Sequence, residues 1–213
     1  MLARAVALSG RTVSDVAAMF GLEVPETLKY HKGFVGQLLE IALGAAGDNE
    51  QGPDFPSIGV ELKSIPIRPD GRPLESTWVT RATSPVHGAI DWESSAVWMK
   101  LRRVLWVPVV VEPEQSVGAR IIGSPLLWSP NASEYELLRR DWTDLTERLL
   151  LGGWEDVHAG IGDALQLRPK GRWGSDASVA ADADGRAQRV QSKGFYLRSR
   201  FTRDVLARGF GLV

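Results

Sequence analysis

The sequence predicts a mixed α/β fold, and three stretches carry that prediction. Val104 to Val111 is a run of Val, Leu, Trp and one Pro, the composition of a strand buried within a mixed sheet. Leu138, Trp142, Leu145 and Leu149 recur at the spacing of a helix with one apolar face. Between Gly59 and Ile65, Val60 and Leu62 alternate with Glu61 and Lys63, the period-two pattern of a half-buried strand. With 213 residues, 44% of them hydrophobic, and eight Trp, the chain can bury a core in one domain or in two closely packed lobes.

In chain order, Thr12-Val13-Ser14-Asp15 opens a short capped helix that ends at Gly21. One such helix does not make a helix-turn-helix. Lys32 to Gly44 predicts a stronger helix, with Val35, Leu38, Leu39 and Ala42 on its apolar face and Gly44 as its C-terminal cap. Glu40 lies at the margin of that face, where an ordinary exposed glutamate would also lie. A polar, glycine-rich loop from Gly44 to Pro53 leads to Asp54. The strand beginning at Gly59 is punctuated by Pro56 and Pro66. Arg68-Pro69-Asp70-Gly71 is a turn, and Thr77 to Thr80 starts a second strand, which predicts an antiparallel hairpin with the first.

Trp78 fits a core position there, and Lys100, taken alone, reads as a surface charge before the apolar strand at Val104. Ser133-Glu134-Tyr135-Glu136 predicts a capping box for a helix reaching about Leu151, ended by Gly152 and Gly153. A short strand is expected at 164–168 and a mobile segment at 175–191, where Ala, Asp and Gly dominate. A strand at 194–197 and a helix at 202–208, closed by Gly209, complete the chain. Tyr196 alone reads as a half-buried strand tyrosine.

Several classes are disfavoured. No apolar run approaches the roughly 20 residues that span a bilayer. The N-terminus lacks the charged and long apolar regions of a signal peptide, so a soluble cytoplasmic protein with no membrane partner is expected. Without cysteine there is no disulfide and no thiolate metal site. The glycines match neither a P-loop nor a dinucleotide fingerprint, so ATP is expected to bind a partner. A net charge of −1 argues against coating nucleic acid by bulk attraction. Locally, however, seven basic residues between Arg186 and Arg208 face a single acid, Asp204, and Arg168, Lys170 and Arg172 precede them. Such an excess suits a phosphate-tracking surface.

The chemistry-bearing stretch is Asp54-Phe-Pro-Ser-Ile-Gly-Val-Glu61-Leu-Lys63. Residues two apart on a strand share a face, so Glu61 and Lys63 emerge side by side while Val60 and Leu62 face the core. Six residues separate Asp54 from Glu61, enough chain to fold back and bring the two carboxylates together. Paired carboxylates with an ammonium suit Mg²⁺, which takes oxygen ligands and keeps several waters. The lysine can orient or deprotonate an attacking water and offset charge on the transition state.

This Asp…Glu-x-Lys arrangement resembles the catalytic motif of the restriction-endonuclease superfamily. Lys32 to Glu40, Gly59 to Pro66, Gly71 to Thr77, Arg103 to Pro108, Gly123 to Pro130 and Gly194 to Leu197, in that order and spacing, are similar to the MutH family of methyl-directed mismatch repair nicking endonucleases. The resemblance covers nearly the whole chain. It implies one endonuclease domain over 1–213, a restriction-endonuclease-like mixed sheet flanked by helices. Two lobes, approximately 1–110 catalytic and 111–213 for DNA recognition, would form a DNA-binding cleft.

The resemblance further implies that Glu40, Asp54 and Glu61 hold one or two Mg²⁺ ions, that Lys63 acts on the water or transition state, and that Lys100 steadies the phosphate. Lys32, Gly33, Trp78, Arg168, Lys170 and Tyr196 would contact DNA, with Tyr196 sensing adenine methylation. The implied reaction is nicking of the unmethylated strand 5′ to G at hemimethylated GATC, by a monomer stimulated by ATP-bound MutL and indirectly by MutS. The segments 84–97 and 171–191 depart from the family pattern, so contacts are not transferred there. The alternatives are a restriction endonuclease of the same superfamily that makes double-strand breaks, and a non-catalytic DNA-binding module.

Overall fold

The structure, a computed structural model, describes residues 1–46, 52–82, 91–151, 153–170, 177–181 and 186–212. In chain order its elements are α1 (Leu2–Leu8), α2 (Val13–Met19), α3 (Phe34–Leu43), β1 (Glu61–Ile67), β2 (Thr77–Arg81), α4 (Ala96–Leu101), β3 (Val104–Val110), β4 (Ile121–Ile122) and β5 (Leu126–Trp128). They continue with α5 (Ala132–Leu150), β6 (Leu165–Pro169), β7 (Ala177–Ala181), β8 (Ala187–Gln191), β9 (Lys193–Leu197) and α6 (Ser199–Gly209). Among the described residues, no helix is long and apolar enough to cross a membrane.

The chain divides into two compact units, each assembled from separated stretches. Met1–Glu75, Arg102–Ser129 and Thr202–Val213 form the first, and Ser76–Leu101 with Pro130–Phe201 form the second.

In the first unit a mixed sheet is built on β3. It pairs in parallel with β1, from Glu61↔Val104 to Ile67↔Val110, and antiparallel with β4 and β5. A strand with neighbours along its length must be apolar on both faces, and Val104, Leu105, Trp106 and Val107 are all buried. Val60, Leu62, Leu105 and Val107 join the core with Leu38, Leu39 and Leu43 of α3 and Val13, Val16 and Ala17 of α2. The expected caps are present: Thr12 and Asp15 bond each other's backbone N–H at the head of α2, and Gly44 ends α3 with φ 73°.

The expected hairpin between β1 and β2 does not form. The turn closes with Arg68 N–H to Arg72 C=O and Leu74 N–H to Pro66 C=O, both at 2.9 Å, and a single bridge, Ile67↔Pro73. Pro66 and Pro73 have no N–H to extend such a ladder. The strand at 77–81 pairs instead with β9, more than a hundred residues later in the chain.

The second unit holds the antiparallel sheet β2–β9–β6, in which Tyr196 stands between Trp78 and Gln166. Helix α5 lies against β6 and buries Leu138, Trp142, Leu145 and Leu149, as the periodicity predicts. Its capping box is Asn131 with Glu134, two residues before the expected Ser133 with Glu136. Both pairs have the same spacing, but Asn131 has the extended backbone of a cap (φ −75°, ψ 175°), and Glu136 bonds Arg139 instead. The segment expected to be mobile contains the hairpin β7–β8, anchored by the buried Val190 and a 2.6 Å bond between the Ser178 and Ser192 hydroxyls. Residues 175, 176 and 182–185 of that expectation lie outside the described residues.

Candidate functional site

The loop before β1 folds back as the spacing of Asp54 and Glu61 suggests. Pro56–Ile58 form one tight turn and Gly59 reverses the chain at φ 63°, so that Phe55 and Val60 exchange backbone hydrogen bonds of 2.9 and 3.2 Å. The Glu61 N–H donates to the Arg103 carbonyl on the β3 side, at 3.0 Å. Strand alternation turns the next N–H, that of Leu62, to the outer edge of the sheet. There Asp54 Oδ2 accepts it at 2.7 Å. Asp54 is thereby held beside the Glu61–Leu62 peptide.

Glu61 is 1% exposed, and Lys63 Nζ donates to its Oε1 at 2.5 Å. A carboxylate taken this far from water needs a partner, and the lysine two residues on is the one that shares its strand face. Glu40, half-buried on α3, has its carbonyl bonded by the Ala45 N–H at the helix end. Lys32 and Gly33 are exposed at the head of α3, with Gly33 as its N-cap.

Among the described residues, no three acidic or histidine side chains gather closely enough to share a metal ion. Glu40, Asp54 and Glu61 are therefore not brought into a three-carboxylate cage; Asp54 and Glu61 are each held by a protein donor. The donor chemistry still fits Mg²⁺, which is commonly held by one or two carboxylates together with water and substrate phosphate. Asp54 Oδ1 and Glu61 Oε2 are the oxygens not engaged by Leu62 and Lys63.

Lys100 belongs to the second unit, in the last turn of α4. At 8% exposure it is buried, not the surface charge that its sequence context suggests. On the sheet of the same unit, Trp78, Arg168, Lys170 and Tyr196 come together. Trp78 and Tyr196 face each other across β2 and β9, edge to face with centroids 5.2 Å apart. Arg168 lies over the Tyr196 ring at 5.5 Å, and the Lys170 ammonium over Trp78 at 4.2 Å. Gly194 makes room for this cluster, since a Cβ there would lie 2.0 Å from Trp78 Cζ3. The arrangement presents π faces and cations together, the combination that meets bases and phosphates.

The basic run from Arg186 to Arg208 is only in part a charged surface. Lys193 is buried, donating its ammonium to the carbonyls of Trp154 and Val157. Burial pushes its pKa below the ordinary lysine value, against the opposing pull of Glu155 and Asp156. Arg198 bonds the carbonyls of Ala159 and Ile161, Arg200 pairs with Asp163, and Arg203 with Asp204.

Asp141 was not anticipated. It is 3% exposed, and its Oδ2 accepts the N–H groups of Asp163, Ala164 and Leu165 at 2.6 to 3.0 Å, fastening the start of β6 to α5. The available signal was its place among Leu138, Trp142 and Leu145, an acid on a stripe that packs inward.

The family described as "DNA mismatch repair enzyme MutH" matches residues 43–141. The DNA mismatch repair protein MutH of Yersinia enterocolitica serotype O:8 is 46% identical over 207 residues, covering 97% of this chain and 91% of that protein. Proteins of the same name from Escherichia coli O127:H6 and K12 are 45% identical over 210 residues, covering 99% of this chain and 92% of theirs.

Proposed function

This chain belongs to the MutH family of DNA mismatch repair enzymes, and we propose that it is a Mg²⁺-dependent endonuclease nicking the unmethylated strand at hemimethylated GATC. The observation that carries this reading is the set Asp54, Glu61 and Lys63 on and beside one strand edge, with two carboxylates beside an ammonium.

In this reading Asp54 and Glu61 hold one or two ions with Glu40 as a further acid from α3. Bound there, Mg²⁺ supplies an activated water and neutralises phosphate charge. Lys63 orients the water as an ammonium or, as the neutral amine, takes its proton, and the ammonium offsets charge as the new phosphorus–oxygen bond forms and the bond to the leaving oxygen breaks. Lys100 steadies the phosphate under attack. Arg168 and Lys170 donate to the major-groove acceptors of guanine, with Trp78 as their aromatic support. Tyr196 packs against the adenine edge, where an N6-methyl group would clash. Lys32 and Gly33 meet the backbone at the head of α3. The chain acts in the cytoplasm as a monomer, because one nick needs one active site, and is stimulated by ATP-bound MutL recruited through MutS.

The test is a duplex with one GATC site and a different label on each strand, prepared unmethylated, hemimethylated and fully methylated. Cleavage confined to unmethylated strands is expected, with the rate raised by MutL and ATP. Simultaneous cuts in both strands, indifferent to methylation, would identify a restriction enzyme; binding without cutting, even with MutL, would identify a DNA-binding module.

A further inference from the structure

The guanidinium of Arg102 lies against Gly59. A Cβ on Gly59 would sit 3.1 Å from Nη2 of Arg102 and 3.7 Å from its Cζ. The parallel pairing of β1 and β3 begins at Glu61↔Val104, and Gly59 and Arg102 each lie two residues before it in the chain. Arg102 is exposed, and it makes neither a hydrogen bond nor an ion pair with any described residue. Among the described residues it is therefore a cation without a counterion, placed just before β3 with its guanidinium beside Gly59, two residues before buried Glu61 on the loop that holds Asp54 to the strand.

We infer that Arg102 binds a DNA backbone phosphate flanking the bond on which Asp54, Glu61 and Lys63 act. The inference rests on the proposed endonuclease reading and extends it to a residue not assigned there. Two carboxylates repel an approaching polyanion, and a positive charge held against the loop that carries Asp54 offsets that repulsion. Lys63 is committed to Glu61 and largely buried, with 13% side-chain exposure. Arg102 is exposed, permanently charged, and has the planar donor fork that matches phosphate oxygens. Gly59 serves both purposes: it allows φ 63° and leaves the space in which the guanidinium stays beside the loop.

The experiment measures binding of a short GATC duplex in EDTA by fluorescence anisotropy, from roughly 50 to 200 mM salt. It compares the full chain with Arg102→Gln, Arg102→Lys and, as an independent probe of the recognition cluster, Arg168→Gln. Arg102→Gln is expected to weaken binding about tenfold and to reduce the slope of log K against log salt by about one. Arg102→Lys is expected to restore the slope, with the melting temperature unchanged throughout. Unchanged affinity and slope in Arg102→Gln would overturn the inference. So would a lowered melting temperature with an intact slope, which would make Arg102 only a clamp on the 54–61 loop. If Arg168→Gln loses affinity while Arg102→Gln does not, the endonuclease reading stands and the role of Arg102 falls. If the unaltered chain does not bind the duplex either in EDTA or with Ca²⁺ in place of Mg²⁺, both fall.

Discussion

Glu61 and Lys63 depend on each other for stability as well as for the chemistry proposed. Replacing Lys63 by Met leaves a carboxylate of 1% exposure without its ammonium, a loss of about 3 kcal/mol in urea unfolding. Glu61→Gln retains an acceptor for the lysine and is expected to lose clearly less; equal stability of Lys63→Met and the unaltered chain would contradict the buried pair. Lys193 gives a prediction in pH. Its folded pKa is pushed below the ordinary 10.5, so between that lowered value and 10.5 the unfolded chain binds the proton that the folded chain has released. Stability from this group therefore rises with pH across the window. Relative to Lys193→Met, the unaltered chain should gain stability as pH rises towards 10.5, and a difference that stays flat or shrinks would refute the assignment. At this scale the period-two pattern made the Glu61–Lys63 contact legible in the sequence. The burial of Lys100 was not legible, nor was that of Lys193, whose partners are the carbonyls of Trp154 and Val157, far along the chain, and carbonyls carry no residue signature.

Elements with local signals were readable, and those made by distant pairing were not. The apolar stripe of α5, the cap of α2 and the glycine end of α3 each follow from residues within a few positions. The pairing of β2 with β9 does not, because nothing near Thr77 records a partner at Leu197. Proximity instead suggested β1, but Pro66 and Pro73 limit that ladder to a bridge. The cation–aromatic cluster inherits this limit: its four residues could be named from a family resemblance, but their stacking depends on the β2–β9–β6 register. Gly194 tests it. In Gly194→Ala the new Cβ lands on Trp78, so the indole must move and Lys170 loses its seat. DNA binding should weaken by about 1 kcal/mol, roughly fivefold, with a shift in tryptophan emission. Unchanged binding with a displaced ring would show that the cluster does not meet DNA.

For the whole molecule, a net charge of −1 is compatible with DNA binding because what matters is where cations stand. Part of the C-terminal basic run holds the second unit together, whereas Arg168 and Lys170 sit over aromatic rings and Arg102 bonds no partner among the described residues. Local counts of charge could not separate these uses. The two units, each drawn from separated stretches of chain, likewise rest on contacts that sequence order does not display. The carboxylates and lysine of the first unit remain the feature on which the proposed activity turns. The most direct measurement is relaxation of a supercoiled plasmid with one unmethylated GATC site, in Mg²⁺ and in EDTA, by the unaltered chain and by Glu61→Gln. Open circles that form only with Mg²⁺, and at least about a hundredfold more slowly in Glu61→Gln, are the predicted result. Nicking that persists in EDTA, or at an undiminished rate in Glu61→Gln, would contradict it.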